Sequence, residues 1–206
     1  NNRLGPNTDA IDIDCCINGH IRNCDIDAGD DCIAIKSDIA LLGRDMPCQN
    51  IKVSDCKLSS TCCAIRLGYE GDGEIKDCTF KNIYVYDTNK GIDLLALVPR
   101  GQRFEIKKGS KIENIHFSDF VMRNVRCPLS GWCGIEENAT EKLYGYIKNI
   151  YFSNLDIEAR DSSYFGDVNM EGLFFDNVKI KMFATDFYKD EIAQRKPNVW
   201  GRGYIP

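Results

Sequence analysis

Ile115–Met122 reads IHFSDFVM and Ile150–Ile157 reads IYFSNLDI. Laid over one another, the two stretches share apolar first, third, sixth and eighth residues and an Asp or Asn at the fifth. Apolar residues two apart mark one face of a strand. After the fifth residue the alternation slips by one. Asp and Asn are the residues that tolerate the left-handed backbone a tight corner needs. Eight residues therefore encode a strand, a corner and a second strand.

Four more octads fit this template: Gly19–Ile26, Ile51–Leu58, Cys78–Val85 and Leu173–Ile180. In chain order the third residues are Ile21, Val53, Phe80, Phe117, Phe152 and Phe175, and the fifth are Asn23, Asp55, Asn82, Asp119, Asn154 and Asn177. The octads recur at roughly 23 to 37 residues, the window of solenoids. One coil cannot bury its own inner face, so neighbouring coils must supply the core, about 4.8 Å away. The expected fold is an all-β, single-stranded parallel β-helix. A β-sandwich would need hairpin signals such as Asn-Gly, and Asn18-Gly19, the one Asn-Gly dipeptide, sits at a coil start. A leucine-rich horseshoe would need a leucine ladder that these repeats lack. Residues 1–182 read as one run of coils. Residues 183–206 read as a C-terminal tail or cap in which Trp200 and Tyr204 supply aromatics. With no cap at its start, the chain is expected to be a C-terminal fragment, further coils of the same protein preceding Asn1.

Composition narrows the function classes. Hydrophobic residues make up 43% and charged residues 28%, as in an ordinary globular chain. A net charge of −5 argues against a nucleic-acid partner. No apolar run is long enough to span a membrane. The eleven cysteines form no paired C-x-x-C site, and His20 and His116 are isolated, so no metal is expected. Most of the cysteines read as small buried hydrophobes. Cys24 and Cys56, both sixth octad residues, are expected to stack as free thiols on adjacent rungs. Cys127 and Cys133 flank a segment with Pro and Gly and read as the pair best placed for a disulfide.

Asn7–Ser37 carries the chemistry. Asp9 lies about one coil before Asp30 and Asp31, so all three carboxylates are expected on one patch of adjacent rungs. Crowded carboxylates repel, and one of them should hold its proton near neutral pH. That is the requirement of acid/base hydrolysis of a glycoside. Convergence needs a bend at Gly29, because alternation would turn Asp30 and Asp31 apart. Asp12, Asp14, Asp25 and Asp27 read as corner or solvent residues.

Asn7–Asp14 (NTDAIDID) and Gly29–Ser37 (GDDCIAIKS) resemble the first two signature motifs of glycoside hydrolase family 28, the polygalacturonase family. The resemblance implies a right-handed, pectin-lyase-like β-helix. It also implies an inverting glycosidase acting on a pectin-like polysaccharide or oligosaccharide, without cofactor, in an extracellular or periplasmic location. Carried over, Asp30 resembles the general acid, and Asp9 and Asp31 the pair that holds and activates water. Two family motifs are absent. Where G-H-G is expected, Ser60–Gly68 holds no histidine. Where R-I-K is expected, Gly91–Leu95 holds Asp93 and no cation.

Arg66, Lys36 and Lys90 are then the candidate substrate-binding cations. Arg66 reads either as a clamp on a uronate carboxylate or as a surface partner of Glu70 or Asp72. Asp93 is expected to repel galacturonate. Trp132 and the Tyr69–Glu74 loop are candidate cleft walls, Trp132 equally a loop anchor. Asn138–Thr140 is a glycosylation sequon. The rivals are a non-catalytic polysaccharide-binding β-helix and a structural solenoid of the tailspike or adhesin kind, against which the Gly-Asp-Asp motif weighs.

Overall fold

The structure, a computed structural model, describes residues 7–38, 42–98, 108–135, 142–167 and 169–183. Twelve strands occupy them. The first seven are β1 (Ile11–Asp14), β2 (His20–Arg22), β3 (Asp25–Ala28), β4 (Ile33–Ser37), β5 (Cys48–Gln49), β6 (Lys52–Ser60) and β7 (Cys63–Gly71). The other five are β8 (Glu74–Val98), β9 (Lys111–Ile135), β10 (Tyr146–Ala159), β11 (Tyr164–Asp167) and β12 (Met170–Met182). Every pairing is parallel, and the main path runs β1-β4-β7-β8-β9-β10-β12. This is the expected β-helix.

The octads stack in register. Ile21 pairs with Val53, Val53 with Phe80, Phe80 with Phe117, Phe117 with Phe152, and Phe152 with Phe175. The four phenylalanine rings form one stack, with successive centroids 4.8, 5.3 and 5.0 Å apart. Phe80, Phe117 and Phe152 are fully buried, and each ring contributes about 1.5–3 kcal/mol by burial alone. Phe175 belongs to the stack but is half exposed, because no described rung follows β12.

All six fifth residues take the left-handed conformation, with φ of 55, 56, 54, 58, 55 and 50° in chain order from Asn23 to Asn177. Their side chains also bond from coil to coil. Asn82 Nδ2 donates to Asp55 Oδ1 at 2.7 Å, and Asn154 Nδ2 donates to Asp119 Oδ1 at 3.0 Å. A second corner ladder, absent from the octad template, lies just before each octad. It comprises Asn18, Asn50, Asp77, Asn114, Asn149 and Gly172, all with positive φ.

The cysteines divide as follows. All eleven are free. Cys56 is buried and Cys24 partly so, one rung apart, as expected. The Cys127–Cys133 pairing is wrong. Both residues lie on the continuous strand β9, six residues apart. An extended chain separates them by roughly 20 Å, far beyond disulfide reach. The residues between them, including Trp132, are strand and not loop. The expected tail after Phe183 and the sequon at Asn138 lie outside the described residues.

The corners yield a stability test. Asn82→Val puts a β-branched residue at φ 54° and removes the bond to Asp55. It should cost about 2 kcal/mol, and Asn82→Gly clearly less. Thermal midpoints of the two variants check the order.

Candidate active site

Outward-facing residues of one sheet form a column across successive rungs. Asp12 pairs with Ala34, Ala34 with Arg66, Arg66 with Asp93, Asp93 with Ser130, and Ser130 with Tyr164. Their flanking neighbours Ile33, Ile65, Ile92 and Leu129 point inward and are fully buried. The hydrophobic alternation of these strands thus sets the polar column facing out.

The signature carboxylates enter beside this column. The chain bends at Gly29 and Asp30, between β3 and β4, as convergence requires. Register differs from the sequence expectation by one residue. Ala10 N donates to Asp31 O at 2.9 Å and Asp30 N to Thr8 O, so Asp9 lies opposite Asp31 and not Asp30. The coil there is one residue longer than the interval from Asp9 to Asp30 assumed. Asn7 N donates to Asp30 Oδ2 at 3.2 Å, tying the two motifs together.

Asp31 is the most deeply buried of the three. It is 3% exposed, and its Oδ1 is buried without a hydrogen-bond partner. Burial pushes its carboxyl up to about 7. Arg66 opposes that rise, and the charges of Asp30, Asp9 and Asp93 add to it. Asp30 and Asp9 remain partly accessible.

The cations are arranged otherwise than the sequence suggested. Arg66 pairs with neither Glu70 nor Asp72, and its side chain is 15% exposed. Its Nε sits 3.1 Å from Asp31 Oδ2, an ion pair without hydrogen-bond alignment. Its guanidinium reaches Asp93 Oδ2 at 3.7 Å and donates to Cys62 Sγ at 3.3 Å. The cause is topological: the neighbours of a β-helix residue are one rung away, not four residues along. Asp93 is 1% exposed, so it is not presented to a substrate as expected. Lys90 Nζ donates to its Oδ2 at 2.9 Å and Ser130 Oγ to its Oδ1 at 2.5 Å. These partners hold its carboxyl below the usual range although burial acts the other way.

Lys36 forms a second knot. Its Nζ lies 3.5 Å from Asp9, 3.3 Å from Asp12 and 3.0 Å from Glu70. Asp12 is therefore more than a corner residue. Glu70 arrives through a bulge: between the pairs Ile35–Leu67 and Ser37–Gly71 the register shifts, at Gly68, Tyr69 and Glu70. Gly68 has φ +82°, and a Cβ there would meet Leu95 O at 2.1 Å, so only glycine fits. The Tyr69–Glu74 segment thus does reach this face. Trp132 is partly buried on β9, opposite Leu95.

Sequence reading missed Cys62 as a member of the site. Among the described residues, ligand atoms of Asp30, Asp31 and Cys62 lie within 4.8 Å of one another. The set suits a metal poorly. Burial pushes the Cys62 thiol up, which disfavours the thiolate a soft ion wants, and a hard ion prefers oxygen throughout.

The chain is similar to known proteins in sequence and in fold. Residues 1–131 match the model of glycosyl hydrolases family 28. A probable polygalacturonase of Vitis vinifera is 34% identical over 99 residues, 47% of this chain and 20% of that protein. A hyperthermoactive exopolygalacturonase from Thermotoga maritima superposes with a TM-score of 0.60 at 22% identity, covering 87% of this chain and 44% of that one. The chain spans about a fifth of the curated relative and under half of the solved structure. The structural likeness shows the fold, a right-handed parallel β-helix.

The buried knot around Asp93 sets an expected stability cost. Asp93→Ala leaves Lys90 and Arg66 facing each other without their shared counter-ion, and should destabilise the protein by about 3–5 kcal/mol. Urea denaturation of the variant measures it.

Proposed function

This chain belongs to glycosyl hydrolases family 28, and on that premise we propose that it hydrolyses a glycosidic bond of a pectin-like or related polysaccharide by an inverting carboxylate mechanism. One observation carries the reading. Asp9, Asp30 and Asp31 come together on adjacent rungs, and Asp31 holds a carboxyl raised to about 7. A base works best when its proton affinity matches the working pH.

The roles follow from exposure and charge. Asp30, partly accessible and anchored by Asn7, gives its proton to the glycosidic oxygen as the carbon–oxygen bond breaks. Water attacks the anomeric carbon from the opposite face, and its proton passes to the Asp9–Asp31 pair. Acid and base in inverting enzymes stand about 6.5–9.5 Å apart to admit that water; an Asp31 oxygen lies within 4.8 Å of one of Asp30, so Asp9, one rung away, supplies the wider separation. Rungs about 4.8 Å apart reach this range when side chains splay. The anionic surroundings favour an oxocarbenium-like transition state, which develops positive charge. Lys36 and Arg66 keep the carboxylates oriented. Such an enzyme works outside the cytoplasm, where polysaccharide substrate is found.

A second reading, a polysaccharide-binding β-helix without catalysis, is favoured by the near-complete burial of Asp31 and its ion pair with Arg66. Reducing-sugar release from a panel of pectins separates the two.

Asp30→Asn should lower turnover by about 10³-fold while leaving the thermal midpoint within a few degrees of wild type. A variant that keeps most of its turnover removes Asp30 from the acid role.

The pH profile has a defined sign. With Asp31 in the base pair and Asp30 as acid, the active form has Asp31 ionised and Asp30 protonated, so the profile is a bell and its limb near 7 reports Asp31. Arg66 pulls that carboxyl down, so Arg66→Gln should move this limb to higher pH. Initial rates from pH 4 to 9 on both proteins decide it.

A further inference from the structure

We infer that Cys62 is a positioning residue of the reaction: its thiol orients the Asp30 carboxyl toward the leaving oxygen, while Ser60 and Thr61 hold the backbone beneath it. The role in the reaction rests on the hydrolase reading; the contacts do not.

Ser60, Thr61 and Cys62 join β6 to β7, one rung along from the bend at Gly29 and Asp30. Counting back from the pair Ile33–Ile65 sets Asp30 opposite Cys62. Each of the three residues reaches the bend with its own side chain. Ser60 Oγ donates to Asp30 O, and Thr61 Oγ1 donates to Gly29 O at 2.6 Å. Ser60 Oγ also accepts from Cys62 N at 2.8 Å, which ties the link to itself. The two hydroxyls thus take the carbonyls of the bend, and the thiol takes its carboxyl. Cys62 Sγ lies within 4.8 Å of a carboxyl oxygen of Asp30 and of Asp31.

The neighbours set the direction of the thiol proton. Arg66 Nη2 donates to Sγ at 3.3 Å, so the S–H points away from the guanidinium. Asp31 turns Oδ2 to Arg66, and its Oδ1 takes no hydrogen bond. The proton is therefore turned to Asp30. Burial keeps the thiol protonated against the pull of Arg66, and the charges of Asp31 and Asp30 add to that. A thiol that stays protonated is a constant donor, and a weak one. A strong donor would favour the ionised carboxylate and work against an acid. A weak donor orients one oxygen and leaves the other to carry the proton.

The experiment reads leaving-group dependence. Proton donation matters when the leaving group is a sugar hydroxyl and hardly at all when it is dinitrophenolate. Oligogalacturonides with and without a dinitrophenyl group at the reducing end are given to wild type, Cys62→Ala and Cys62→Ser. Reducing ends, dinitrophenolate release and thermal midpoints are followed.

Cys62→Ala should lower kcat on plain oligogalacturonides by about tenfold, a part of what acid catalysis supplies. KM should stay within about twofold, and dinitrophenolate release should barely change. Cys62→Ser, which keeps a hydroxyl donor, should recover most of the loss. An unchanged kcat in Cys62→Ala, equal losses on both substrates, or a loss carried by KM overturns the positioning role and leaves hydrolysis intact. Iodoacetamide labelling of Cys62, read by peptide mass spectrometry, tests the contact without catalysis. Labelling should run several-fold faster in Asp30→Asn, and an unchanged rate overturns the contact. A wild type that cleaves neither substrate sinks the hydrolase reading and with it the part of Cys62 in a reaction.

Discussion

Each coil of this solenoid has to turn its chain at residues with positive φ and bring it back in register, and everything else in the molecule depends on that constraint. Left-handed backbone is costly for most residues and cheap for Asn, Asp and Gly. The octad corners from Asn23 to Asn177 satisfy it, and so do the preceding corners from Asn18 to Gly172. Amide side chains then bond from one corner to the next, as from Asn114 to Asp77 at 2.6 Å and from Asn124 to Asp87 at 2.6 Å. With the corners aligned, the phenylalanine stack is a consequence: residues at the same place in successive coils fall on top of one another.

The same register makes the carboxylate-bearing face electrostatically demanding. Outward residues one coil apart are neighbours whether or not their charges agree. Asp9 falls opposite Asp31, and Arg66 falls opposite Asp93. The fold answers with ordered counter-ions. Arg66 bridges the two buried carboxylates, Lys90 and Ser130 complete the shell of Asp93, and a bulge delivers Glu70 to Lys36. Asp31 keeps one buried oxygen outside any hydrogen bond, and burial raises its carboxyl. Charge neutralisation and the raised carboxyl of Asp31 thus come from one set of side chains.

Much of this was legible before any coordinates. Period-two alternation broken at Asn or Asp carried the strands, the corners and the inward phenylalanines. The Gly-Asp-Asp motif carried the cluster of carboxylates and its bend. The second corner ladder escaped notice because it precedes the alternating run and interrupts nothing inside it. The partners of Arg66 were sought along the chain, at Glu70 and Asp72, whereas the rung geometry places them 35 and 27 positions away, at Asp31 and Asp93. The proposed Cys127–Cys133 bridge failed for a related reason. Pro128 and Gly131 were read as loop, yet β9 runs straight through both, since parallel neighbours on β8 hold them extended. Local sequence shows what a segment prefers, and only the count of residues per coil shows what it meets.

The most direct test of this account is the titration of Asp31 itself. Carboxyl carbons of aspartate, labelled with ¹³C, are followed by NMR from pH 3 to 9 in wild type and in Asp31→Asn. The account predicts one resonance that titrates near 7 and is missing from the variant. An Asp31 resonance with an ordinary carboxylate midpoint near 4 would contradict it, and with it the claim that burial and crowding on adjacent rungs prepare this site for acid/base chemistry.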